Sequence, residues 1–152
     1  MTGRSLSPLS DLCTPHESVF SDGGGHSGDV LDLTDLIERR INAEAFFDTN
    51  YVTDGMETLL REAFRCFSRG LDSEGVFLLT QAMGGGKTHN MIALGLLAQN
   101  PDLRERVMGS GGPAADVNRV RVAAFTGRES DAPFGIWGEL ADQLGKRSAT
   151  SP

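Results

Sequence analysis

The chain has 152 residues, 39% of them apolar, and a formal net charge of −7, so one domain with a real core is within reach. Its 14 Lys and Arg residues form no concentrated block, which argues against direct nucleic-acid binding by this segment's own surface. No stretch reads as a membrane span, the start lacks a signal-peptide pattern, and Cys13 and Cys66 have no metal-type spacing; a cytoplasmic protein with reduced thiols is expected.

Residues 1–28 are rich in Ser, Gly, Pro and Asp and predict an irregular segment. Gly23, Gly25 and Gly28 formally spell a dinucleotide-binding fingerprint. That motif needs a strand directly before it, and only Val19-Phe20 is available, so the stretch reads as a flexible loop with a solvated His26. Residues 29–146 carry the periodic elements, and residues 147–152 form a polar tail.

Val30, Leu31, Leu33, Leu36, Ile37 and Ile41 predict a helix that ends near Arg39-Arg40. Asp29, Asp32 and Asp35 on this pattern read as helix N-terminal and surface charges. Residues 45–52 look like a short aromatic connector. Met56, Leu59, Leu60, Ala63, Phe64 and Phe67 then form one apolar helical face over 54–69. Asp54 is the expected cap, with Glu57 in capping-box position and Gly70 as the stop.

Residues 75–80 (Gly-Val-Phe-Leu-Leu-Thr) predict a buried strand. The run Gln81-Ala82-Met83-Gly84-Gly85-Gly86-Lys87-Thr88 follows, and it opens a helix over 88–99. Strand, glycine loop ending in Gly-Lys-Thr, then helix is the order of a phosphate-binding P-loop. Consecutive glycines let backbone N–H groups turn toward a polyphosphate, and the helix N-terminus points its positive end at the same anion. Lys87 is then placed for the β- and γ-phosphates, and the Thr88 hydroxyl for Mg²⁺. The first motif position, commonly Gly, is Gln81. The competing reading is a glycine-rich turn with a surface lysine.

Met91, Ile92, Leu94, Leu96, Leu97 and Ala98 make the helix after the loop apolar over most of its surface, which predicts burial against a sheet. A short amphipathic helix over 102–108, a loop over 109–118, a second strand over 119–126 and a helix over 134–145 complete the reading. The expected core is Leu59, Leu60, Phe64, Phe77, Leu78, Leu79, Ile92, Leu96, Val120, Val122 and Trp137. No apolar run ends in the acidic residue that hydrolysis needs to order Mg²⁺ and water; Glu129, three residues past the second strand, is a poor substitute. The catalytic carboxylates are therefore unassigned, and weak or no hydrolysis is expected.

The chain resembles the N-terminal part of a family of large bacterial and archaeal P-loop ATPases classed as domain of unknown function 499. The matching stretches are Thr14-Pro15-His16, Phe46-Phe47-Asp48-Thr49-Asn50-Tyr51-Val52-Thr53, Gly84-Gly85-Gly86-Lys87-Thr88-His89 and Ile136-Trp137-Gly138-Glu139-Leu140-Ala141. Several family members sit in phage-defence gene clusters. The resemblance implies an AAA-like ATPase with ATP bound at Gly84, Gly85, Gly86, Lys87, Thr88 and His89, Mg²⁺ on Thr88, and other subunits of a defence complex as partners. It implies an α/β fold of three layers, with a short parallel sheet flanked by helices. Because the strand expected between the two present is missing, that fold would be partial and the chain truncated. Two other functions compete: a small nucleotide or metabolite kinase, and an interaction fragment with a vestigial loop.

Overall fold

A computed structural model describes residues 7–15, 31–70, 75–115, 117–118, 120–127 and 134–146. Seven helices form among these residues: α1 (Leu9–Leu12), α2 (Leu33–Ile37), α3 (Ala43–Thr49), α4 (Asp54–Arg69), α5 (Lys87–Gln99), α6 (Pro101–Met108) and α7 (Gly135–Gln143). Residues 1–30 and 31–152 are separate units. In the first, α1 is a single turn after Pro8 with no buried residue. The glycine-rich stretch at 23–28, His26, Asp29, Glu129 and the tail at 147–152 lie outside the described residues.

In the second unit the starts of α2, α3 and α4 each have a local cause. The Asp32 carboxylate accepts from Thr34 N–H at 3.1 Å, and the Asp35 carboxylate accepts from Asp32 N–H at 3.1 Å. This reciprocal pair starts α2 three residues later than the apolar pattern predicts, so the helix is only five residues long. The expected aromatic connector is in fact α3: the Asn42 side chain accepts from Ala45 N–H at 3.0 Å and starts a helix that the pattern alone does not announce. In α4 the cap is Thr53, whose hydroxyl accepts from Met56 N–H at 3.3 Å, and not Asp54. Glu57 consequently makes no capping box; it takes the Arg61 guanidinium at 2.7 and 2.8 Å. Gly70 ends the helix at φ 65°, as expected.

Helix α5 is the centre of the unit. It packs on α2, α4 and α6. Ile92, Ala93, Leu96 and Leu97 are buried from it, against Leu36 of α2, Leu60 and Phe64 of α4, and Leu103 and Met108 of α6. Burying each of the larger side chains contributes about 1.5–3 kcal/mol. Gly95 sits where α2 crosses, and a Cβ there would overlap the Leu36 side chain. The crossing is therefore close because position 95 carries no side chain.

Arg104 of α6 is 4% exposed. Its guanidinium donates to the carbonyls of Leu97 (2.9 Å) and Ala98 (3.0 Å) in the last turn of α5. It also donates to Val117 (2.5 Å) and Asn118 (3.5 Å), and stacks 5.0 Å from the Phe64 ring centroid. The last carbonyls of a helix have no partner within it, so this one side chain closes the end of α5 and fixes residues 117–118. Burial lowers the guanidinium's pKa from the ordinary arginine value.

The expected α/β fold is overturned. Among the described residues there is no strand and no sheet, parallel or otherwise. The apolar all-round character of α5 predicts burial against a sheet, and three helices cover it instead. Residues 75–80 and 120–126 have no regular secondary structure and form no ladder. An apolar run becomes a strand only when a neighbour accepts its backbone. Val76 is 92% exposed and Leu78 83%, so two members of the predicted strand face solvent.

At 120–126 a side chain does part of the work of a neighbouring strand. The Gln143 amide donates to the Ala124 carbonyl at 2.8 Å and accepts from Ala124 N–H at 2.9 Å. Arg121 also donates to the Leu144 carbonyl at 2.9 Å, which ties the stretch to the end of α7. An apolar cavity of about 460 Å³ lies here, lined by Leu33, Leu36, Met91, Leu94, Val122 and Phe125 among others.

Leu60, Phe64, Ile92 and Leu96 are buried as the sequence predicts. Leu59, Leu79, Val120 and Val122 are half-buried. Phe77, Leu78 and Trp137 are exposed, contrary to expectation, because the sheet that was to cover them is not formed. Cys13 and Cys66 are not disulfide-bonded. Among the described residues no helix is long and apolar enough to cross a membrane.

Candidate functional site

Residues 81–86 form an exposed loop between the run at 75–80 and α5. Gly84 at φ 79° and Gly86 at φ 74° occupy the left-handed region, where a side chain is strained. At Gly85 the obstacle is different: an added Cβ would lie 2.6 Å from the Gln81 Cβ and 3.0 Å from the Ala82 carbonyl oxygen. The three glycines therefore answer two demands, backbone handedness on either side and close approach in the middle. Gly85 N–H donates to the Ala82 carbonyl at 3.0 Å and closes the turn.

Lys87 is the first residue of α5, and its ammonium folds back over this loop. It donates to the carbonyls of Gln81 at 2.7 Å and Ala82 at 3.0 Å. An ammonium carries three donors, so one remains for another acceptor. Gly86 supplies no side-chain cap. The first intrahelical bond is from Asn90 N–H to the Gly86 carbonyl at 2.8 Å, leaving the N–H groups of Lys87, Thr88 and His89 in the opening turn. The Thr88 side chain belongs to an exposed residue.

His89 turns the other way. Its ring centroid lies 4.7 Å from that of Phe46 in α3, with the planes at 31°. Burial lowers its pKa from the ordinary 6.5, which favours the neutral imidazole. Phe46 is buried and meets Phe47 edge-on at 5.1 Å. Asp48, two residues on, pairs with Arg106 of α6 at 3.1 Å.

All six predicted site residues, Gly84, Gly85, Gly86, Lys87, Thr88 and His89, thus lie on one loop and one helix start. The strand expected to precede them does not form. Among the acidic residues read from sequence, Asp32 and Asp35 are occupied in capping α2. Among the described residues no group of three or more His, Cys, Asp or Glu side chains is placed to hold a metal ion. Sequence reasoning missed Phe46 as a neighbour of His89 and Arg104 as the closure of α5. For Phe46 the only signal was membership in the same set of matching stretches; for Arg104, in an ordinary amphipathic pattern, there was none.

A family model for the DUF499 N-terminal domain matches residues 29–121. The chain belongs to the DUF499 family. No curated protein and no solved structure matches it. The stretch of this DUF499 chain that the family model covers includes α2 to α6, the glycine loop and the Phe46–His89 contact. It ends at residue 121, before α7.

Proposed function

We propose that residues 81–88 bind the polyphosphate of ATP with Mg²⁺, and that this DUF499 chain is the ATP-binding N-terminal portion of an ATPase. The observation that carries the reading is the Lys87 ammonium, held over the glycine loop at the start of an uncapped 13-residue helix. A cation, a helix N-terminus and side-chain-free backbone meet at one place, and an extended anion satisfies all three.

Within that reading each residue has a separate task. Gly84 and Gly86 turn the backbone, and Gly85 keeps the loop clear of a side chain that would strike the Ala82 carbonyl. Lys87 has its third donor for a phosphate oxygen. The Thr88 hydroxyl is one oxygen ligand for Mg²⁺, whose other positions suit phosphate oxygens and water. Bound Mg²⁺ would neutralise charge on the phosphates. These side chains supply a binding site; hydrolysis would further need a carboxylate to orient water, which this reading does not assign. Other subunits of a defence assembly are the partners this reading favours.

Titration calorimetry with Mg-ATP tests it. Lys87→Ala removes a charged hydrogen bond and should weaken binding roughly 10- to 150-fold. Equal affinity of wild type and Lys87→Ala would overturn the assignment.

A further inference from the structure

We propose that the Phe46–His89 ring contact is a brace that holds the first turn of α5, and so the glycine loop, in position for the phosphates. This rests on the triphosphate reading above and adds to it a positioning residue, His89, whose side chain acts through α3.

The glycine loop has few anchors of its own. On its N-terminal side it follows residues 75–80, which form no ladder among the described residues and expose Val76 and Leu78. The loop residues 81–86 are themselves exposed. Gly86 provides no side-chain cap for the helix. The nearest packed side chain after Lys87 is His89, and its ring lies on Phe46.

Phe46 is a firm support. It is buried, and α3 is held at one end by the Asn42 cap and at the other by the Asp48–Arg106 pair to α6. Helix α6 packs in turn on α5. The contact therefore closes a circuit from α5 through α6 and α3 back to the first turn of α5. Without it, that turn is attached to the core only from Asn90 onward, where burial begins. The imidazole is directed at Phe46, so its contribution at the loop is mechanical.

The test uses the whole 152-residue chain. Hydrogen exchange at the Asn90 amide, without nucleotide, reads the brace directly. His89→Ala should speed that exchange about three- to tenfold, the range that loss of one aromatic contact corresponds to. His89→Phe keeps the ring and should restore the wild-type rate. Mg-ATP affinity should follow the same order, with His89→Ala weaker by a similar factor and His89→Phe within about twofold of wild type. Phe46→Leu combined with His89→Ala should add no further loss, because both remove one contact. Unchanged exchange in His89→Ala overturns the brace. So does His89→Phe binding as weakly as His89→Ala, which would place the imidazole on the ligand. Absence of triphosphate binding by wild type overturns the reading of the loop instead, while the exchange result still decides the brace.

Discussion

Replacing Arg104 by Ala removes a guanidinium that is 4% exposed and bonded to four carbonyls. Charged hydrogen bonds contribute about 1.5–3 kcal/mol each, but their sum overstates the loss, because burying the cation costs several kcal/mol. The Asn118 contact, at 3.5 Å, is long enough to count for little. Water can also reach the carbonyls at 117–118, in residues that are not fully buried. What remains is the pair at Leu97 and Ala98, both buried residues in the last turn of α5. Leaving each carbonyl unmet costs about 1–3 kcal/mol, and the lost contact with Phe64 adds to that. The expected destabilisation is about 3–5 kcal/mol, a large part of the roughly 5–15 kcal/mol that holds a domain together. Urea unfolding followed by circular dichroism measures it. Arg104→Lys keeps the charge but not the planar fork that spans α5 and residues 117–118, and should recover less than half of the loss. A loss below about 1 kcal/mol in both variants would refute the claim that this side chain closes the helix.

The crossing of α2 on α5 predicts that Gly95→Ala destabilises by about 1–3 kcal/mol in denaturant titration despite alanine's better helix propensity; a stabilised variant would mean that Leu36 moves aside freely. Thr53→Ala should cost about 0.5–2 kcal/mol and Asp54→Ala under about 0.5 kcal/mol, since the hydroxyl of Thr53 makes the capping bond; the reverse order would return the cap to Asp54. His89 has its pKa lowered by burial from 6.5, so the unfolded chain takes up the proton first as pH falls. Its contribution to stability is whole above 6.5 and is lost as pH drops through the lower folded value. Thermal unfolding of wild type against His89→Phe should show this increment in the wild type only, and parallel pH profiles would count against it.

The glycine loop was legible because its signal is local. Three glycines before Lys-Thr permit left-handed backbone at little cost, and Gly84 and Gly86 adopt it. Helices α4, α5, α6 and α7 were legible from apolar spacing, with ends within two residues of expectation. What failed was the inference of strands and of the sheet they would build. The run Val76-Phe77-Leu78 is apolar, but strand formation depends on a second backbone, and none pairs with it among the described residues. Likewise the apolar surface of α5 requires a cover without specifying whether sheet or helix provides it. Helix α3 was missed because its trigger is a single Asn42 amide, weaker in sequence than the aromatic run behind it. The glycine loop was therefore readable as a motif, while the packing of His89 on Phe46 was not.

The two carbonyl contacts of Lys87 also change the entropy of the loop. A free lysine side chain surrenders about 1.5–2 kcal/mol of rotamer freedom when it is fixed. Here the ammonium is already tied to Gln81 and Ala82, so that ordering belongs to folding. In the triphosphate reading proposed above, an arriving anion would meet a cation whose ordering cost has already been met in folding. The same tie draws the start of the loop toward the start of α5, so the side chain acts as a short internal crosspiece as well as a charge.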